Sequence, residues 1–231
     1  AHNNPGEFHT EEMSDGDRRQ VCAAYYAMVA LIDDQVGRIL QVLDETGQAE
    51  DTVVIFMSDH GEMLGDHGIY FKGPHFYDCQ LRVPLIIRWP KGGIVQNRKI
   101  DGLIELVDLA PTFLDAADLK VPGHMQGRSL LKMLRGDSER NGCREQIYSE
   151  YYNSWTHKDA YGTMLRTKDE KIVVYHGTNQ GEFYNLRNDP EEFFNLWDVP
   201  ESEERKNAML LRCFDASVFT MDPHPPRLGP F

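Results

Sequence analysis

The sequence lacks the features that define several classes of protein. No apolar run approaches the roughly 18 residues that a helix needs to cross a bilayer, so we expect no membrane span. It has no cluster of Lys and Arg, and 24 basic against 37 acidic residues give a formal net charge of −13. Because an acidic surface repels a phosphate backbone, we do not expect nucleic acid as a partner.

Cysteine is also scarce, and its four positions are far apart in the chain. Cys22, Cys79, Cys143 and Cys213 form no C-x-x-C pair, so neither a zinc site nor a dense disulfide framework is indicated. We interpret them as isolated small apolar residues. They leave the compartment open, and a periplasmic, secreted or cytoplasmic soluble protein fits equally well.

The chain does contain enough apolar sequence for a folded core, at 41% of 231 residues. The first periodic segment has apolar residues at steps of three and four. This spacing predicts an amphipathic helix that Ser14 or Asp15 caps and Gly47 ends.

Strand and helix patterns then alternate. The short apolar runs 52–57 and 83–89 are rich in β-branched residues and typical of strands buried on both faces of a parallel sheet. A second helix is predicted over Asp108–Ala117, with Asp108 as its cap. This alternation predicts an α/β fold for the first part of the chain.

The second part of the chain has a different pattern. Four short strands at hairpin spacing and one helix are predicted over Gln146–Tyr151, Thr163–Thr167, Lys171–Tyr175, Glu182–Asn185 and Ser202–Phe219. We therefore predict two domains, 1–136 and 137–231, with the boundary in the polar stretch Gly136–Gly142. Residues 1–13 are expected to form a loop, and the proline-rich tail from Asp222 is expected to be extended or disordered.

The most informative side chains follow the first strand. Asp59 and His60 come directly after it, and ligands of open α/β sheets bind beyond the carboxyl ends of the strands. A carboxylate oxygen and an imidazole nitrogen together suit Mg²⁺, Mn²⁺, Ca²⁺ or Zn²⁺. The alternative is structural: Asp59 would cap the next turn and His60 would be a hydrogen-bonded core residue.

Lys72 lies thirteen residues beyond Asp59, between aromatic residues and Gly73-Pro74. A lysine there can act as a point charge for an anionic group, although an exposed surface lysine is the simpler interpretation. His67 and His75 lie in the same loop. Either could donate to a substrate oxygen or form only local hydrogen bonds.

Two separate motifs now support a resemblance. The segment Ser58–Gly68 (SDHGEMLGDHG), followed by Lys72 and by Arg82–Ile86 (RVPLI), resembles the second half of a type I sulfatase of the alkaline phosphatase superfamily. The segment Gly181–Glu192, with Asn195-Leu196 after it, is similar to a C-terminal signature of the same family. The resemblance implies the C-terminal part of an alkaline-phosphatase-like α/β sandwich, plus a small antiparallel sheet subdomain with a C-terminal helix.

The resemblance also implies roles for individual residues. Asp59 and His60 match two ligands of a divalent metal that is usually Ca²⁺, with Mg²⁺ or Mn²⁺ as alternatives. Lys72 matches the lysine that contacts the sulfate oxygens, and His75 is the better of the two loop histidines for lining the substrate pocket. Arg82 matches a framework position.

One element of the family pattern is missing. Type I sulfatases carry a C/S-x-P/A-x-R motif whose Cys or Ser becomes the formylglycine nucleophile, and none of the four cysteines has this pattern. The resemblance therefore implies that the nucleophile and further metal ligands belong to an N-terminal half of the same enzyme. We expect this chain to be inactive alone, and the expected substrate is a sulfate ester, by family association a sulfated carbohydrate.

Two other functions remain open at this point. A phosphonate monoester hydrolase or phosphodiesterase of the same superfamily would share the Asp-His pair and the lysine. A fragment without catalytic activity, which keeps a residual metal site, is the alternative from a different class.

Overall fold

The fold is given by a computed structural model that describes residues 10–137, 143–152 and 160–221. The tail from Asp222 lies outside the described residues, as do most of the predicted N-terminal loop and most of the predicted boundary stretch. The chain forms two compact units, Ala1–Gln96 and Asn97–Phe231. This division differs from the domain boundary predicted at residues 136 and 137, which stays a prediction.

The first unit begins with the predicted long helix, α1, at Asp15–Glu45. Ser14 caps it: its hydroxyl accepts from the Asp17 N–H at 3.2 Å, and the Asp17 carboxylate accepts from the Ser14 N–H at 2.9 Å. This reciprocal pair satisfies backbone donors that the first turn would otherwise leave unbonded. The helix ends at Thr46, followed by Gly47 with φ +68°.

The spacing of apolar residues in α1 predicts the helix correctly, but it does not show whether their side chains are buried. No residue of α1 is buried. Its large exposed apolar side chains are Val21, Tyr26, Met28, Val29, Leu31, Ile32, Ile39 and Val42. A continuous apolar stripe of this helix therefore faces outward.

Strand β1 (Val54–Met57) and strand β2 (Leu85–Arg88) form a two-stranded antiparallel ribbon. The expected parallel pairing is wrong, because apolar content indicates a strand but carries no information about the direction of its partner. The expected burial on both faces is also wrong: Phe56 is 37% and Ile86 63% exposed. In the part of the chain that the structure describes, no other strand joins this ribbon.

The second unit begins with helix α3 (Leu109–Ala116), which follows the short helix α2 (Asp78–Leu81) of the first unit. Asp108 precedes α3, as predicted, but its side chain does not cap that helix. The carboxylate is fully buried and accepts instead from Arg144, at 2.5 Å, and from the Arg128 N–H, at 2.7 Å. A buried carboxylate needs such donors, and Arg144 supplies the opposite charge.

A four-stranded antiparallel sheet forms most of the rest of this unit. Its order is β3-β4-β5-β6, and one helix packs against β3, β4 and β5. After the short helix α4 (Leu131–Leu134), the elements are β3 (Gln146–Tyr152), β4 (Tyr161–Thr167), β5 (Glu170–Tyr175), β6 (Gln180–Asn185) and α5 (Glu203–Phe219). All five predicted elements of this region are present. Leu165, Ile172, Phe183, Met209 and Cys213 form the core between sheet and helix.

The outer edge of β6 is covered by the end of the signature segment. The Asn195 side chain accepts from the Phe183 N–H at 3.0 Å and donates to the Gly181 carbonyl at 3.1 Å. The Leu196 N–H donates to the Phe183 carbonyl at 2.8 Å. These bonds satisfy backbone groups that an open edge would leave unpaired.

The same segment supplies a buried ion pair. Lys171 on β5 is fully buried, and its ammonium pairs with the Glu192 carboxylate, whose residue is 3% exposed. Glu192 lies at φ +61°, a left-handed conformation that is unfavourable for this residue type. The pairing of two buried charges accounts for a glutamate at this position.

The four cysteines are free thiols. Cys213 is buried, and burial raises the pKa of its thiol. Cys79 and Cys143 each lie 3.4 Å from a methionine sulfur.

None of the described helices combines the length and the apolar composition that a membrane span needs.

Candidate functional site

Asp59 and His60 extend from the carboxyl end of β1. The His60 N–H donates to Asp59 Oδ1 at 3.0 Å, and Asp59 Oδ2 lies 3.6 Å from His60 Nε2. This backbone hydrogen bond holds the pKa of Asp59 below its ordinary value. The carboxylate is 81% exposed and ionised at neutral pH.

The backbone orients the His60 ring. Nδ1 lies 2.8 Å from the Gly61 carbonyl oxygen, which can only accept a hydrogen bond, so Nδ1 carries the proton. The lone pair of a neutral ring is then on Nε2, the nitrogen that faces Asp59. A histidine ligand commonly donates its other ring N–H to a backbone carbonyl in this way.

Lys72 completes the group. Its ammonium nitrogen lies 2.8 Å from His60 Nε2 and donates to that lone pair. The structure therefore brings together Asp59, His60 and Lys72, three of the four predicted site residues. A metal at Nε2 would take the lone pair that Lys72 uses here.

The fourth predicted residue, His75, lies beside Tyr77, with ring centroids 6.3 Å apart. His67 also stacks on Tyr77, with centroids 3.9 Å apart and planes inclined by 13°. A Cβ added at Gly73 would lie 2.9 Å from His75 Nε2, so this ring covers the backbone next to Lys72. The role of His75 in lining a substrate pocket stays a prediction.

Glu62 holds the loop on one side of Lys72. Its carboxylate accepts from the Leu64 N–H at 3.1 Å and from the Phe71 N–H at 2.6 Å. Phe71 has φ +67°, and strained backbone of this kind is found more often at functional sites. Sequence reasoning did not identify Glu62, although it lies within the first motif.

Gln80 holds the loop on the other side. It is 7% exposed, and its side-chain amide donates to the Gly73 carbonyl at 2.7 Å and accepts from the Gly73 N–H at 3.3 Å. Its own backbone carbonyl accepts from the Gly61 N–H at 2.6 Å. The chain segments around Gly61 and Gln80 pass so closely that a Cβ at Gly61 would lie 2.0 Å from the Cys79 backbone oxygen. Nothing in the sequence pattern marked Gln80.

The spacing of the Asp59 and His60 donor atoms is compatible with one divalent metal. Two ligand atoms at about 2.4 Å from one ion and at right angles lie about 3.4 Å apart. The observed separation of 3.6 Å between Oδ2 and Nε2 is close to that value. Across residues 10–137, 143–152 and 160–221 no group of three or more His, Cys, Asp and Glu side chains forms a metal site.

Comparisons with known protein families identify the class of this chain. Residues 2–119 match the sulfatase family, and residues 65–216 match the family described as N-sulphoglucosamine sulphohydrolase, C-terminal. These matches define the class: the chain carries the C-terminal region of a sulphohydrolase. It belongs to the sulfatase family.

Curated relatives support the same conclusion. An N-acetylglucosamine-6-O-sulfatase of Bacteroides thetaiotaomicron is 33% identical over 197 residues, which are 83% of this chain and 35% of the relative. An arylsulfatase of Clostridium perfringens is 34% identical over 187 residues, which are 79% of this chain and 37% of the relative. The chain thus spans little more than a third of the length of these two relatives.

Solved structures share the fold. BT1596, described as a 2-O GAG sulfatase, has a TM-score of 0.86 at 27% identity, over 96% of this chain and 48% of that structure. BT4656, solved with its substrate D-glucosamine-2-N,6-O-disulfate, has a TM-score of 0.78 at 30% identity, over 89% of this chain and 42% of that structure. A phosphonate monoester hydrolase from Silicibacter pomeroyi has a TM-score of 0.84 at 26% identity, over 96% of this chain and 46% of that structure.

Proposed function

We propose that this chain is the C-terminal part of a sulfuric ester hydrolase and supplies two metal ligands and a sulfate-binding lysine to its active site. The observation that carries this proposal is the cluster of Asp59, His60 and Lys72. An ionised carboxylate, an oriented imidazole lone pair and an ammonium group lie within hydrogen-bonding distance of one another or close to it. Sulfate ester hydrolysis needs a metal ion and a positioned cation, and this group offers ligands for the first and an ammonium for the second.

Asp59 and His60 would hold the metal, which we propose to be Ca²⁺, with Mg²⁺ or Mn²⁺ as alternatives. A bound divalent cation supplies Lewis acidity toward a sulfate oxygen. Asp59 is ionised at neutral pH, and the hydrogen bond from the His60 N–H lowers its pKa further below the ordinary value. His60 presents Nε2 because its Nδ1 proton is donated to the Gly61 carbonyl.

Lys72 would bind the nonbridging oxygens of the sulfate group. Its ammonium is close enough to the proposed ligands to share one anionic group with them, as the 2.8 Å contact with His60 indicates. Charge that develops on the sulfate oxygens in the transition state is then met by a fixed positive charge. His75, which covers the backbone next to Lys72, would line the pocket for the rest of the substrate.

The nucleophile would come from outside this chain. We propose that a formylglycine and the remaining metal ligands belong to the N-terminal half of the same enzyme, since no cysteine here has the required motif. This chain alone would then bind metal weakly and turn over no substrate.

The proposed substrate is a sulfated carbohydrate. This choice follows from relatives whose names specify N-acetylglucosamine 6-O-sulfate chemistry and a glucosamine disulfate complex. A phosphonate monoester hydrolase is a second candidate, because two enzymes of that name share the fold at TM-scores of 0.84 and 0.83.

Relative turnover by the complete enzyme tests these functions. We expect kcat/KM for an aryl sulfate to exceed that for the matching aryl phosphonate, and chelation of the metal to abolish both activities. The opposite preference would support the phosphonate hydrolase, and turnover of neither ester would support a fragment without catalytic activity. Calorimetry with Ca²⁺ on this chain alone should detect only weak binding, and tight binding would contradict the shared ligand set.

A further inference from the structure

We propose that Gln80 is the positioning residue that sets Lys72 against the Asp59–His60 pair. The inference rests on the proposed function, since it concerns how that site is assembled. Gln80 touches none of these three side chains in the contacts described above. It acts through Gly61 and Gly73, the glycines that directly follow His60 and Lys72 in the chain.

The Lys72 segment is held by the side chain of Gln80. A carboxamide that bonds both the N–H and the C=O of Gly73 restrains the shift and the rotation of that residue, much as a partner strand would. On the preceding side the Phe71 N–H is bound by Glu62. The backbone is therefore bonded on both sides of Lys72.

The Asp59–His60 segment is held by the backbone of Gln80. The Gly61 N–H donates to the Gln80 carbonyl at 2.6 Å, and the close packing at Gly61 leaves no room for a Cβ. The Gly61 carbonyl in turn accepts the Nδ1 proton of His60. Gly61, the residue whose carbonyl orients the imidazole, is thus bonded through its N–H to Gln80.

One residue therefore connects both parts of the site, and its chemistry suits that task. Gln80 is 7% exposed, so water does not easily replace its hydrogen bonds. An uncharged carboxamide also adds no net charge to a site that is proposed to bind a cation and an anion. Because displacement of a catalytic group by about 1 Å can reduce rates about 100-fold, loss of the side-chain bonds should reduce kcat/KM by about 10- to 100-fold.

The test is a double-mutant cycle in the complete enzyme. Gln80→Met keeps the side-chain length and removes both bonds to Gly73, and it is combined with Lys72→Ala. The matched control is Gln146→Met in the second unit, because that side-chain amide likewise makes two hydrogen bonds to one residue, both of them accepted from Arg212.

If Gln80 acts through Lys72, Gln80→Met lowers kcat/KM for an aryl sulfate about 10- to 100-fold in the wild type. In the Lys72→Ala background, Gln80→Met lowers kcat/KM less than threefold. Gln146→Met changes it less than twofold in either background. An equal loss in both backgrounds, or no loss in the wild type, overturns the proposal.

A second readout does not depend on activity. Gln80→Asn keeps the amide but is one methylene too short to reach Gly73, and hydrogen exchange at the Gly73 amide should then be at least tenfold faster than in the wild type. Unchanged exchange overturns the positioning role even if the protein proves not to be a sulfatase. Faster exchange in a protein without sulfatase activity supports the role of Gln80 in the loop and contradicts only the proposed function.

Discussion

Removing one partner of the buried pair of Lys171 and Glu192 should strongly destabilise the second unit. In Lys171→Met the aliphatic part of the side chain is kept, but the Glu192 carboxylate stays buried without its cation. Because Lys171 is fully buried and Glu192 is 3% exposed, solvent cannot compensate the lost partner. Breaking a buried pair in this way costs about 3–5 kcal/mol, which corresponds to a fall in Tm of about 6–20 °C at this chain length.

The assay is urea and thermal unfolding followed by far-ultraviolet circular dichroism. Glu192→Gln should be less damaging when Lys171→Met is already present, with a coupling free energy of about 2 kcal/mol or more. The matched control is Lys91→Met, which breaks the exposed pair with Asp51, whose side chains are 59% and 69% exposed. That change should cost less than about 1 kcal/mol. If Lys171→Met is as mild as Lys91→Met, or if the two changes at the buried pair are additive, the reasoning is refuted.

Three further predictions concern the site and the thiols. In the complete enzyme Asp59→Ala should abolish metal-dependent activity because it removes a charged ligand, and Lys72→Ala should lower kcat by about 100- to 1000-fold, as steady-state kinetics would measure. Gly61→Ala should weaken Ca²⁺ binding at least tenfold in calorimetry, because its Cβ would overlap the Cys79 carbonyl. Cys213 should react with iodoacetamide at least tenfold more slowly than Cys22 at pH 8, because burial raises its pKa and blocks access. Mass spectrometry of the labelled peptides measures both rates.

Each of these has an outcome that would count against it. Activity within twofold of wild type in both Asp59→Ala and Lys72→Ala would contradict the site assignment. Unchanged metal affinity in Gly61→Ala would show that the close chain crossing does not shape the ligand pair. Equal labelling of Cys213 and Cys22 would show that the core around α5 opens readily.

The sequence predicted the elements that depend on local pattern. The cap of α1 at Ser14 is a short-range signal, and the four strands and the helix of the second unit follow from alternation and turn spacing. The proximity of Lys72 to His60 was anticipated because a motif resemblance carries tertiary information that spacing lacks.

Other features could not be predicted for a physical reason. The antiparallel pairing of β1 with β2 depends on the path of the loop between them, which hydropathy does not encode. Glu62 and Gln80 bond backbone groups seven to nineteen residues away in sequence, so no periodicity reveals them. Asp108 was predicted as the side-chain cap of α3, but its carboxylate accepts from Arg144 and from backbone N–H groups outside that helix.

The covered edge of β6 changes what the C-terminal signature means for motif searches. Asn195 and Leu196 bond the backbone of β6, and Glu192 pairs with the buried Lys171. None of these three residues belongs to the proposed reaction centre. In the structure these positions close the sheet edge and neutralise a buried charge, which opposes strand addition by another chain. A protein could lose catalysis altogether and still retain the signature. A match to the signature therefore indicates that the subdomain folds, whereas catalytic activity has to be judged from the nucleophile motif.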